Sequence, residues 1–385
     1  MNILKYIFSI KYLGERRTIK LLGIKLPVIR KRFVFSKIKN SDVKIAFYVG
    51  CDDGKSSRYR VDNIVEALTK KNIIADCYYK RGIGKLYKNI QNYDLLVVFR
   101  AGEFDKRYIE KIINVYSKCR ENNIPIIYDI DDFLCNSKSE VITKNVSYLV
   151  SDADALTVTT SYLAKCYKNL NENVFVIKNT INYEQYNIAQ NINKEIQKND
   201  TVKIVYQCGS QWHDNDFAIC SSAILKILEK YKNTEFHLMG PVKFDSEFLK
   251  FGKRFVRPKY MNFKELLKYT SEMDINIAPL EINNFNNCKS ELKIFESALV
   301  KIPTICSPIN SYKDLINHGH NGFLADSEDE WVKYLSELTE NKNLRIKIGE
   351  TAYKDFVQKF YIENEINNVI SIYNKLLKSH KGKQI

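Results

Sequence analysis

The sequence predicts an α/β protein built as two Rossmann-like domains facing each other across a cleft, and three observations carry that prediction. From residue 43 onward, short β-branched and aromatic runs alternate with helical stretches, the pattern of parallel sheets covered by helices. The alternation occurs twice, on either side of a polar stretch. At 385 residues, 45 % hydrophobic and 27 % charged, the chain is long enough to fill two separate cores.

The elements follow in order. Residues 1–40 form a basic and apolar arm. Six strands are then expected in a first domain over 41–182: VKIAFYVG (43–50), IIADCYY, LLVVFRA (95–101), IPIIYDI (124–130), ALTVTT and VFVIKN (174–179). Residues 183–201 are polar, Asn/Gln-rich and without periodicity, which reads as a linker. A second domain over 202–350 repeats the scheme with KIVYQCG (203–209), EFHLMG, FVRPKY, INIAPL (275–280), PTICSP and GFLAD (322–326). After Glu328 the pattern is helical to near Ser379, with 351–385 as a closing helix.

Composition excludes several classes. The nine cysteines are odd in number, lie mostly in apolar runs and show no metal-type pairs, so they read as reduced thiols of a cytosolic protein. No apolar run reaches a membrane-spanning length, and no secretory leader is expected. The formal charge of +15 is uneven: eleven Lys/Arg stand against the single Glu15 in residues 1–40. That arm also carries Ile3, Tyr6, Phe8, Tyr12 and Leu13, a mixture suited to a membrane surface and equally to a solvated extension. Nucleic acid is not expected as a partner, because no recognised module follows the arm.

Chemistry concentrates in Asn287 to Pro308, NCKSELKIFESALVKIPTICSP. Cys288-Lys289-Ser290-Glu291-Leu292 is expected to open a helix whose first N–H groups and dipole make an anion site, reinforced by Lys289 and Lys293. Diphosphate fits such a place. Glu296, one to two turns further in, suits the diol of a ribose, so the implied ligand is a nucleotide.

The run ESALVKIPTICS from Glu296 resembles the retaining GT-B glycosyltransferases of family four, whose signature is a glutamate, an Ala-rich helix, a loop ending in Pro and a hydrophobic strand. The KSELKIFE form resembles a sub-branch of bacterial surface-polysaccharide synthesis. In the family the second glutamate of an E-x7-E pattern holds the donor ribose, and the helix start before it holds the diphosphate. Here Cys288 occupies the place of the first glutamate, with Glu291 nearby.

The other strand-end loops extend the resemblance. CDDGKSSRYR, after the first strand, resembles the family's acceptor-side loop without its double glycine, and puts Arg58 and Arg60 at the mouth of a helix. IIYDIDDFLC sets Asp129, Asp131 and Asp132 at a buried strand end; a metal, a substrate contact and structural capping are all open to them. The resemblance places Asp131 and Asp132 at the acceptor side. No histidine precedes His213, so the role of the histidine that many relatives carry in the first domain is empty or taken by an aspartate. Gly209 and Ser210 permit close approach and donation to phosphate, and Gly209, Ser210, His213 and Asp216 match the G-S-x-x-H-x-x-D element of the sub-branch. Lys259 and Tyr260 lie where relatives hold the nucleotide base. His318 and His320, in HGHNGFLAD, read as part of a turn.

The resemblance implies a cytoplasmic enzyme, peripheral on the inner-membrane face, that moves a sugar from a nucleotide-diphosphate sugar to a glycan or lipid-linked acceptor. Lys289, Lys293, Glu296 and Asp131 would carry the reaction. The donor would be held by Gly209, Ser210, His213, Asp216, Lys259, Tyr260 and the stretch Lys289, Ser290, Glu291, Leu292, Lys293 and Glu296, and the acceptor by Arg58, Arg60, Asp131 and Asp132. No cofactor and no metal are expected. The resemblance also implies that the closing helix returns to the first domain. Two alternatives share the fold: a nucleotide-sugar 2-epimerase, and a non-catalytic nucleotide-sugar-binding component of a polysaccharide assembly complex, motivated by Cys288.

Overall fold

The computed structural model describes residues 41–384 except 52–55, 103–105, 138, 193–199 and 210–212, together with the backbone of four strands before residue 41. Ser210 therefore lies outside the described residues, as does most of the arm. Three of the early strands, β1 (Phe8–Leu13), β2 (Arg16–Leu21) and β3 (Ile24–Leu26), form an antiparallel sheet of their own. The fourth, β4 (Phe33–Val34), pairs elsewhere.

The chain divides into two compact units, described separately. The N-terminal unit comprises Lys31–Asn182, Cys288–Ser290 and Phe360–Ile385. Its strands are β4, β5 (Lys44–Val49), β6 (Ile74–Tyr79), β7 (Leu95–Phe99), β8 (Ile126–Ile130), β9 (Ala155–Val158) and β10 (Val174–Val176). They stand in the order β10-β9-β8-β7-β5-β6-β4, all parallel except the β4–β6 pair. β5, β7, β8 and β9 are buried along almost their whole length, which is why they read as continuous apolar runs rather than alternating ones. Helices α1 (Asn63–Lys70), α2 (Ile83–Asn89), α3 (Lys106–Glu121), α4 (Glu140–Ser151) and α5 (Ser161–Tyr167) connect them.

The C-terminal unit takes in Tyr183–Asn287 and Glu291–Lys359. Its strands β11 (Val202–Gln207), β12 (Thr234–Met239), β13 (Phe255–Val256), β14 (Ile275–Ala278), β15 (Thr304–Cys306) and β16 (Phe323–Leu324) form a wholly parallel sheet ordered β13-β12-β11-β14-β15-β16. Counted within the unit this is the doubly wound 3-2-1-4-5-6 order, whose direction reverses between β11 and β14. Its α-helices longer than one turn are α6 (Tyr183–Gln190), α7 (Asp214–Lys230), α8 (Phe263–Ser271), α9 (Leu292–Leu299), α10 (Glu328–Glu340) and α11 (Lys342–Phe360). Phe217, Phe236 and Phe248 pack as an aromatic cluster at the heart of its core, with Trp331 fully buried.

The last helix, α12 (Ile362–Lys381), belongs to the N-terminal unit. Ile362, Ile366, Val369, Ile372, Tyr373, Leu376 and Leu377 repeat at helical spacing and are buried, so one apolar stripe docks it. A left-handed Gly382 ends it, its N–H returning to the Lys378 carbonyl.

Three expectations need correction. Tyr183–Gln190 is helix rather than irregular linker: it buries Gln185, a polar residue that gives no periodic signal. The closing helix, expected over 351–385, begins at Ile362: Ile181 N donates to the Phe360 carbonyl (2.7 Å) and Ile362 N to the Ile181 carbonyl (3.0 Å), which interrupts the helical ladder at Tyr361. The first sheet gains β4, a two-residue antiparallel pairing too short to show a period.

Candidate active site

In the N-terminal unit the strand order reverses between β5 and β7, and the loops beyond the carboxyl ends of these strands and of neighbouring β8 carry the polar residues. After β5, Arg58–Asp62 forms a wide π-helical turn ahead of α1, a feature frequent at functional sites. It turns Arg60 inward, where the side chain is 1 % exposed. Arg60 Nε and Nη2 donate to the two oxygens of Asp129 at 2.9 and 2.6 Å, a bidentate pair, and Thr157 Oγ1 adds a bond of 2.5 Å to Asp129 Oδ2. Burial alone would depress the arginine pKa; the Asp129 charge and hydrogen bonds outweigh it and leave it raised. Arg60 is therefore a structural residue, not the acceptor contact its place in the loop suggested. Arg58 is also buried, its guanidinium 5.2 Å from the centre of the Tyr59 ring.

Of the three strand-end acids, Asp129 is consumed by Arg60, whereas Asp131 and Asp132 share another arginine. Arg100 Nη1 lies 3.2 Å from Asp131 Oδ1 and 3.2 Å from Asp132 Oδ2, and Lys289 Nζ sits 3.7 Å from Asp132 Oδ1. Arg100 takes a left-handed backbone, φ 45°, unusual for a side chain of its size. The sequence reading overlooked it; the available signal was a lone arginine closing an otherwise apolar strand, LLVVFR, beside a strand ending in acids.

Cys288–Ser290 joins this unit. Thr160 Oγ1 donates to the Cys288 carbonyl (3.3 Å), Cys288 Sγ lies 3.7 Å from Cys166 Sγ, and Asn179 Nδ2 donates to Ser290 Oγ (2.8 Å). Cys288, at the place of the family's first glutamate, is buried, and burial pushes its thiol well up. The helix expected to open at 288 begins only at Leu292, with Glu291 as its cap, because these side-chain bonds hold 288–290 in a non-helical path.

In the C-terminal unit the candidate residues gather where β11 and β14 diverge. Gly209, just beyond β11, is exposed. His213 Nδ1 and Asp216 Oδ2, one turn apart at the start of α7, are 2.6 Å apart. The other oxygen, Asp216 Oδ1, accepts from Glu281 N (2.8 Å) and Asn286 Nδ2 (2.9 Å), which ties the loop after β14 to α7. Burial of Asp216 favours the neutral acid, yet the His213 and backbone hydrogen bonds, with the charges of His213 and Lys293, hold its pKa below the ordinary value. An ionised carboxylate only accepts, so the His213 proton that faces Asp216 sits on Nδ1.

From α9, Lys293 places its ammonium 4.8 Å from the centre of the buried Tyr206 ring, and its charge is felt at Asp216. Asn276 Nδ2 donates to the Lys293 carbonyl at 3.2 Å and fixes the start of the helix on β14. Glu296, one turn on, meets Gln185 Nε2 of α6 at 3.5 Å, a loose contact. The unit thus brings His213, Asp216 and Lys293 together and presents Glu296 on the same helix as Lys293. Lys259 and Tyr260 stand exposed on the loop before α8. His318 caps a turn, accepting from Leu324 N (3.1 Å) and packing edge-on against Phe323 and Tyr334. Asn286 and Gln185 were not singled out in the sequence, where each is one amide among many.

Residues 202–341 match the family described as Glycosyl transferases group 1. No curated protein matches the chain in sequence. Among solved structures, the chain resembles Anabaena HepE in complex with UDP-glucose at 12 % identity and TM-score 0.63, over 86 % of this chain and 99 % of that one. It resembles a glycosyltransferase from Rickettsia africae at 13 % identity and TM-score 0.62, over 88 % and 100 %. It also resembles the sucrose-phosphate synthase of Thermosynechococcus elongatus at 11 % identity and TM-score 0.61, over 87 % and 100 %. The chain thus has the GT-B fold of two Rossmann-like domains and carries a glycosyl transferases group 1 domain at residues 202–341.

Proposed function

We propose that this protein is a retaining glycosyltransferase that moves a sugar from a nucleotide-diphosphate sugar to a glycan or lipid-linked acceptor in bacterial surface-polysaccharide synthesis. The observation that carries the reading is the cluster of His213, Asp216 and Lys293 at the strand divergence of the group 1 domain, with Glu296 one turn along α9. Its chemistry suits a nucleoside diphosphate. The Lys293 ammonium, the Lys289 ammonium, the Ser290 hydroxyl and the first N–H groups of α9 at Leu292 and Lys293 would stabilise charge building on the leaving diphosphate. Glu291 stands at the N-cap position of that helix, Glu296 would accept from the ribose hydroxyls, and Gly209 and Ser210 would let the loop approach phosphate. Lys259 and Tyr260 would flank the base. The HepE complex with UDP-glucose supports a sugar nucleotide as the ligand class.

The acceptor would meet Asp131 and Asp132, held by Arg100 and Lys289, and Arg58. A front-side reaction that keeps the anomeric configuration can use the departing phosphate oxygen as its base, so no further protein base is needed. No cofactor or divalent metal is required in this reading, because Arg60 already satisfies Asp129 and the Arg100 and Lys289 cations meet the other two acids. The basic arm 1–40 would place the enzyme on the cytoplasmic face of the membrane.

A second reading draws on Cys288, whose burial beside Cys166 leaves no carboxylate at the family's first glutamate position: a nucleotide-sugar-binding component without transferase activity. Incubation with UDP, GDP, CMP and dTDP sugars and a panel of acceptors, with NMR of the anomeric proton, separates the two. Acceptor-dependent transfer with retained configuration, unchanged by EDTA, is expected. Inverted product contradicts the retaining mechanism, and tight donor binding without hydrolysis or transfer supports the second reading.

A further inference from the structure

We propose that Asn179 and Arg60 are positioning residues that fix the Ser290 hydroxyl as a hydrogen-bond donor toward the diphosphate of a nucleotide, an inference resting on the reading that residues 289–293 hold that group. A guanidinium carries donors and no acceptor, so the part of the Asn179 amide that faces Arg60 Nη1, at 3.3 Å, is its oxygen. The amide nitrogen then faces Ser290 and donates to Oγ at 2.8 Å. Ser290 is the acceptor of that bond, and its own proton is turned away from Asn179.

This direction matters because an ionised phosphate offers only acceptors, so a serine serves it solely by donating. A serine free to turn would divide its proton among several partners. Here the direction is set from inside the protein. Arg60 is held by both oxygens of Asp129 and by the Ile177 carbonyl, and Arg60, Asp129 and Asn179 are each 2 % exposed or less. Rotating the amide by half a turn would set an NH2 against the guanidinium and an oxygen against Ser290, losing the bond to Arg60. The buried pair that closes the end of β8 therefore reaches Ser290 through one amide whose orientation has a single solution.

The test is a double-mutant cycle on the full-length protein, read by isothermal titration with UDP, GDP and dTDP. Asn179→Asp keeps the size of the side chain but offers an oxygen to both neighbours, so Ser290 must donate to it and loses its proton for phosphate. Ser290→Ala and Asn179→Asp are each expected to weaken binding about tenfold, the scale of one hydrogen bond to a charged group, whereas Ser290→Thr, which keeps the hydroxyl, stays near wild type. In the Ser290→Ala background Asn179→Asp should then add less than about twofold, because the interaction it redirects is already gone. An equal loss from Asn179→Asp in both backgrounds, the signature of simple charge repulsion or general damage, overturns the proposal. So does unchanged affinity in Ser290→Ala, which decides the matter even where Asn179→Asp fails to fold. A wild type that binds none of the three diphosphates overturns the diphosphate reading itself, an outcome distinct from binding that persists with an additive cycle.

Discussion

At the scale of single residues, two carboxylates, one in each unit, do different work. Asp129 neutralises a buried arginine, and removing its charge strands that cation. Asp129→Asn should cost about 3–5 kcal/mol in urea denaturation, the usual penalty for an orphaned buried ion; a loss under about 1 kcal/mol would show that the pair is not the anchor described. Asp216 gathers His213, Glu281 N and Asn286, and its folded pKa lies below the ordinary 3.8. A carboxylate depressed on folding stabilises the protein fully above its unfolded pKa and loses that contribution as pH falls through the folded value. Denaturation midpoints measured from pH 6 to pH 3 should therefore fall more steeply in wild type than in Asp216→Asn; parallel curves would contradict it. Little of this was legible in the chain. Arg60 and Asp129 are 69 positions apart, and nothing local distinguishes a buried arginine from one facing an acceptor. His213 and Asp216 were singled out by the G-S-x-x-H-x-x-D resemblance, and their pairing, one turn apart at a helix start, came only with the structure.

At the scale of elements, strands were the most readable, since a run buried on both faces must be apolar throughout, as LLVVF and IIYDI are. Short or polar elements escaped for the converse reason: β4 spans two residues, and α6 is Asn/Gln-rich. The motif around Glu296 gave the helix but misplaced its start, because the hydrogen bonds that hold 288–290 outside it come from residues more than a hundred positions away. The loop after β11 depends on a close backbone approach. A Cβ on Gly240, φ 102°, would lie 2.0 Å from the Cys208 carbonyl oxygen, whereas Gly252, φ 56°, has open space around that position. Both substitutions to alanine strain the backbone, but only the first also forces atoms to overlap. Gly240→Ala should cost more than about 2 kcal/mol and Gly252→Ala about 1 kcal/mol. Equal losses by thermal or urea unfolding would show that the loop yields freely.

At the scale of the whole molecule, the chain enters the N-terminal unit three times, at 31–182, 288–290 and 360–385, so the motif read as one diphosphate loop is shared in sequence between two separately packed units. Lys289 and Ser290 belong with the strand-end acids of the first, and Lys293 and Glu296 with the group 1 domain of the second. The two-domain plan was legible because the βα alternation occurs twice; this division was not, since the motif is continuous in sequence. The central claim is that the group 1 domain holds a nucleoside diphosphate through Lys293 and its ribose through Glu296. Isothermal titration of wild type, Lys293→Ala and Glu296→Ala with UDP, GDP, CMP and dTDP tests it most directly. One of UDP, GDP and dTDP should bind the wild type more tightly than CMP, which lacks a diphosphate, and each variant should weaken that binding by about tenfold or more; a wild type that binds none of the three diphosphates, or variants that bind as tightly as wild type, would contradict the account.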